Sequence, residues 1–97
     1  MTAPAVQVAD HPAAHRFEAH VDGELAGVLT YRTEGDDRVV LVHTEVYPKF
    51  EGKGVGGALA KAALDDIAHR QLTIVPECEF VKGYLEKHPE YAEHVAG

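Results

Sequence analysis

The chain has 97 residues, of which 45% are hydrophobic and 26% charged, a globular composition with room for one domain around one core. Its formal charge of −7, with Lys and Arg scattered singly, excludes the basic footprint that nucleic acids and anionic membranes require. The lone cysteine, Cys78, leaves no internal disulfide, no stretch approaches the ~20 apolar residues of a membrane span, and the first residues lack the pattern of a signal peptide; the expectation is a cytoplasmic protein.

Residues 1–14 are rich in Ala, Pro and small polar residues without periodicity, which reads as a poorly ordered lead-in to a single domain spanning residues 15–97. Residues 16–21 and 24–31 alternate apolar with polar or small side chains around Asp22-Gly23, the signature of a hairpin with a type I′ turn. After a second turn signal at Glu34-Gly35-Asp36-Asp37, residues 38–46 carry an unbroken apolar run that suits a central strand buried on both faces. Val55, Leu59, Ala63 and Ile67, flanked by Ala60 and Leu64, recur at helical spacing and predict an amphipathic helix of about four turns. Residues 72–75 read as a short strand, and a strand, helix, strand order implies a right-handed crossover to a parallel neighbour. A last helix over residues 79–87 stops at His88-Pro89, because proline disfavours helical geometry in the residue before it. The expected fold class is α/β, with a mixed sheet of about four strands and a short C-terminal helix.

Four glycines, Gly52, Gly54, Gly56 and Gly57, fall between the long strand and the long helix. Bare backbone there lets N–H groups approach an anion, and the first N–H groups of a helix are unpaired donors at the positive end of its dipole. Lys53 adds a local positive charge. On spacing alone the segment is either a pyrophosphate loop or a ligand-free glycine turn. A phosphate P-loop needs Ser or Thr after Gly-Lys, and Gly54 stands there instead. A dinucleotide fold needs its glycine turn after the first strand of an alternating α/β pattern, whereas an antiparallel meander precedes this one.

The run Glu51-Gly52-Lys53-Gly54-Val55-Gly56 resembles the acetyl-CoA signature of the GNAT (N-acetyltransferase) superfamily, Arg/Gln-x-x-Gly-x-Gly/Ala, departing from it at Glu51. Together with the strand that ends in Thr44-Glu45-Val46, with Pro76-Glu77-Cys78 and with His88-Pro89-Glu90-Tyr91, it is similar to a small GNAT-like family of about one hundred residues. The resemblance implies a minimal acetyl-CoA-binding domain, cut down relative to full-length GNAT enzymes, that transfers acetyl to an amine. It implies pyrophosphate on the loop Glu51, Gly52, Lys53, Gly54, Val55, Gly56 and Gly57, and a pantetheine arm between the splayed ends of the strands at residues 43–46 and 72–75, bonding the free backbone of Thr44, Glu45 and Val46, with Cys78 also at the cofactor. The thioester would then lie near His43 and Cys78, the latter standing where the superfamily often has a CoA-contacting Asn. Tyr84 is the implied proton donor to the departing thiolate. A non-catalytic acyl-CoA sensor is the alternative reading.

Cys78 reads either as a small buried hydrophobe or as a nucleophile whose thiolate a helix start favours and Glu77 and Glu79 oppose. His43 is either a packed imidazole or a general base. His11, His15 and His20 lack partners at ligand spacing, so no metal is expected. Tyr91, with Phe80, Tyr84 and Leu85 at helical spacing, reads as core.

Overall fold

A computed structural model describes residues 5–96. Of the lead-in read over residues 1–14, residues 1–4 lie outside the described residues, as does Gly97 at the other end. The next stretch corrects the sequence reading: Val6–His11 forms a strand, β1, paired antiparallel with β2 (Arg16–Val21) from Val6↔Val21 to His11↔Arg16. The alternation that identifies a strand is faint here because β1 is an edge, with only Val6 and Val8 half-buried. The sheet therefore has five strands rather than four. β3 (Glu24–Glu34), β4 (Arg38–Val46) and β5 (Thr73–Pro76) complete it in the order β1-β2-β3-β4-β5.

The β2–β3 turn takes the form its sequence predicts, with Asp22 at φ 52° and Gly23 at φ 79°, both left-handed as a type I′ turn needs. β1 to β4 run antiparallel and β5 joins β4 in parallel after the crossover helix α1 (Val55–His69). The predicted apolar stripe of α1 is buried throughout, and α2 (Glu79–Lys87) follows β5. A 3-10 turn, Pro89–His94, then brings Tyr91 onto α1, where its hydroxyl donates to Asp65. Burial and that hydrogen bond raise the Tyr91 phenol above its ordinary value.

Both helices cover one face of the sheet. The core joins Phe17, Leu29, Val39 and Leu41 of the strands to Leu59, Leu64 and Ile67 of α1 and Val81 of α2. Residues that alternate with these, including Glu18, Arg32, His43 and Glu45, turn to the other face, which carries no helix among the described residues. There Arg32 on β3 makes a two-pronged ion pair with Glu77, at 2.9 and 3.2 Å, that spans β4. That bridge shields Val40, which is fully buried on the face without helices.

Two irregularities shape β4. Its register with β3 shifts at Thr30/Tyr31, so Val42 is bulged between the pairs Thr30↔His43 and Tyr31↔Leu41. Burial on both faces holds for Val39, Val40 and Leu41 but ends there, since Val42, His43 and Glu45 are exposed. Near its end β4 passes close to β3: a Cβ on Gly27 would lie 2.6 Å from the Glu45 carbonyl oxygen and 3.2 Å from Val55 Cγ1.

Candidate functional site

Parallel pairing of β4 with β5 lasts four residues, from Arg38↔Thr73 to Leu41↔Pro76. The chain then turns away, with the N–H groups of both Glu77 and Cys78 donating to the Leu41 carbonyl at 3.0 Å. β4 continues to Val46 with β3 on one side and, among the described residues, no strand partner on the other. Its backbone groups on that side are free to bond an extended ligand.

Above this opening stands the glycine loop. Gly52 and Gly54 have φ 79° and 78°, a left-handed conformation that glycine adopts without strain. Gly54 is the N-cap of α1; it has no side chain to cap the helix, so the amides of Val55, Gly56 and Gly57 stay available. A Cβ built on Gly52, Gly54 or Gly57 meets nothing within 4 Å, so the loop is a bare cradle over open space. Below it lies a cleft of about 320 Å³ lined by Val46, Phe50, Glu51, Gly52, Gly54, Val55, Gly56, Gly57 and Phe80. Lys53 is exposed and lies outside the lining, whereas Glu51 is part of it.

The structure brings Cys78 and Thr44 together. The thiol and the Thr44 hydroxyl are 3.3 Å apart at the narrow end of the opening, and Cys78 is buried at 6% exposure. Glu77 is drawn to Arg32 and Glu79 pairs with Lys82, so each flanking carboxylate has a cationic partner. The Glu77 hydrogen bond raises the pKa of the Arg32 guanidinium.

His43 and Tyr84 lie elsewhere. His43 is on the face without helices, with 64% of its side chain exposed and Glu45 at 4.0 Å, so it is not a packed imidazole. Tyr84 stacks on His88 with ring centroids 4.0 Å apart, its charged neighbours being Lys61 and Asp65 of α1 and Glu90. Burial lifts its phenol above the ordinary value and Lys61 works against that. Sequence reasoning missed Phe80 as a site residue: it was expected in the core and is 47% exposed at the edge of the cleft. Helical spacing groups it with Tyr84 and cannot show that Gly56 lies under its ring. Among the described residues no group of three or more His, Cys, Asp or Glu could hold a metal ion, and no helix is long and apolar enough to cross a membrane.

Known proteins resemble this chain in sequence and in fold. The family model described as GCN5-related N-acetyl-transferase matches residues 16–95. Protein NATD1 of Gallus gallus is 32% identical over 93 residues, covering 93% of this chain and 84% of that protein. Protein NATD1 of Xenopus tropicalis is 36% identical over 70 residues, and the match spans 64% of its length. Among solved structures, a Staphylococcus aureus protein described as a "GCN5-like putative N-acetyltransferase" superposes with a TM-score of 0.68 at 26% identity, over 100% of this chain and 92% of that one. Ribosomal-protein-alanine N-acetyltransferase from Brucella melitensis biovar Abortus 2308 shares the fold, with a TM-score of 0.56 at 24% identity over 84% of this chain and 61% of its own. With the mixed sheet, the strands that part and the glycine loop at the start of the crossover helix, the chain belongs to the GCN5-related N-acetyltransferase family.

Proposed function

We propose that the protein is an N-acetyltransferase that binds acetyl-CoA along the free edge of β4 and transfers its acetyl group to an amine. The observation that carries this reading is the bare cradle: two left-handed glycines and an uncapped helix start stand over open space, beside a strand whose outer backbone groups lack a strand partner. That set of donors fits a pyrophosphate, and the cleft beneath it leads toward the parting of β4 and β5. Bound acetyl-CoA supplies an activated thioester. Thr44 and Val46 offer their backbone to the arm, Glu45 between them bonding β3 instead, while Gly52, Gly54, Val55, Gly56 and Gly57 hold the phosphates.

At the narrow end Cys78 is the thiol placed to receive acetyl, with the Thr44 hydroxyl orienting its sulfur. His43, exposed on the face without helices, is the base available to an amine arriving from that side. Tyr84 keeps its proton at neutral pH, and its setting against Lys61 and Asp65 supports packing of α2 on α1 rather than proton delivery at the opening. That placement is also what favours the second reading, an acyl-CoA-binding module without catalysis.

Thermal unfolding with and without acetyl-CoA, followed by intact mass measurement, tests the proposal. We expect stabilisation by CoA and acetyl-CoA, one added acetyl group without an acceptor, and no adduct in Cys78→Ala. Absence of any ligand-induced shift removes the acetyl-CoA reading. A shift with neither adduct nor transfer to a panel of amines leaves the binding module.

A further inference from the structure

Phe80 is out of place for a core residue: it is 47% exposed while Val81, its neighbour on α2, is fully buried. The other large hydrophobic that is exposed among the described residues is Val42, at 38%, the bulged residue just past the last β4–β5 pair. Val42 stands at the parting of β4 from β5, and Phe80 lines the cleft beside the glycine loop. An aromatic ring left half in water at the mouth of a cleft gains most when an apolar group covers it.

The ring has a dedicated seat. A Cβ on Gly56 would come within 2.9 Å of Phe80 Cζ and 3.3 and 3.4 Å of its two Cε atoms. Gly56 lies inside α1 without a positive φ, so the backbone does not demand glycine there, and glycine weakens a helix relative to alanine. The missing side chain is explained by the ring. Gly56 thus differs from Gly52, Gly54 and Gly57, whose Cβ positions face open space.

Phe80 lines the same cleft as the cradle, beside Val46, Phe50 and Val55. Immediately past the pyrophosphate, CoA carries the pantoyl unit with its two methyl groups, the most apolar part of the arm. We infer that Phe80 is the wall on which this pantoyl unit packs, that Gly56 sets the depth of the ring, and that the pair selects CoA over nucleotides lacking the arm. The inference rests on the acetyl-CoA reading above.

Calorimetry with two probes tests it: CoA, and 3′-phosphoadenosine 5′-diphosphate, which keeps every phosphate but has no arm. Phe80→Ala should weaken CoA on the order of tenfold and leave the nucleotide unchanged, while Phe80→Leu keeps most of the affinity. Unliganded stability should barely move, because the ring is not core. Gly56→Ala, which lifts the ring, should weaken CoA severalfold alone and add little in the Phe80→Ala background. Unchanged CoA affinity in Phe80→Ala, equal losses for both probes, or additive effects of the two substitutions would each overturn the assignment while the acetyl-CoA reading stands. If the wild-type protein binds neither probe, that reading falls and takes this one with it.

Discussion

Glu51 departs from the family signature, which has Arg or Gln at its place, and it lines the cleft beside the glycine loop proposed to hold the phosphates. A carboxylate there repels the phosphates, so Glu51→Gln should tighten CoA binding severalfold at low salt. Lys53 lies outside the lining and is exposed, so Lys53→Gln should weaken CoA only a few-fold, an effect that fades near half-molar salt. Titrations of both variants at two ionic strengths check the pair; an unchanged Glu51→Gln would mean that this carboxylate does not face the phosphates. A separate effect belongs to Tyr31, whose phenol is pushed up to about 12 by burial and by its hydrogen bond to Asp10 at 2.7 Å. Its folded value exceeds the unfolded one near ~10, so the neutral phenol contributes stability in full below that value and loses it as pH rises toward 12. Urea midpoints should fall between pH ~9.5 and ~11.5, and Tyr31→Phe should make the fall shallower, leaving the part due to Tyr84 and Tyr91.

Among the elements, α1 and the glycine loop were legible because each writes a period or a density into the sequence. Val55, Leu59, Ala63 and Ile67 recur every four residues, and all are buried. β1 was not legible. Its side chains at Gln7, Ala9, Asp10 and His11 are exposed, and an edge strand with one half-buried row carries little alternation. The strand is nonetheless part of the fold: Val6 and Val8 pack against the core, and Tyr31 anchors Asp10. A chain starting at residue 12 would uncover the core surface that Val6 and Val8 cover and turn β2 into an unprotected edge. We expect it to unfold at a clearly lower urea concentration than the full chain, and equal midpoints would place the domain's start where the sequence put it, near His15.

For the whole molecule, the layering explains what the candidate site shows and why parts of it escaped sequence reasoning. Two helices on one face leave the other face to polar side chains, and β4 passes between these environments. The family resemblance implies that His43 and Cys78 both lie near the thioester, but not that Thr44 meets Cys78 on the helix side while His43 points away. The bulge at Val42 and the early parting of β5 decide that, and neither has a sequence signature.

Gly27 belongs to β3, which contributes nothing to the lining of the cleft, yet its bare backbone lets the end of β4 and the first residue of α1 both pack close against β3. On the proposed acetyl-CoA reading, the two halves of the grip are thus calibrated from behind, by a residue outside the cleft. Gly27→Ala would drive a methyl group into the Glu45 carbonyl and against Val55, levering the strand edge and the helix start apart. Its mark should be a faster CoA off-rate out of proportion to the loss of stability, seen by comparing stopped-flow dissociation with the urea midpoint; a loss of stability with an unchanged off-rate would show that the grip is set locally. A defect in holding the ligand could then arise in a strand where inspection of the binding residues would never look.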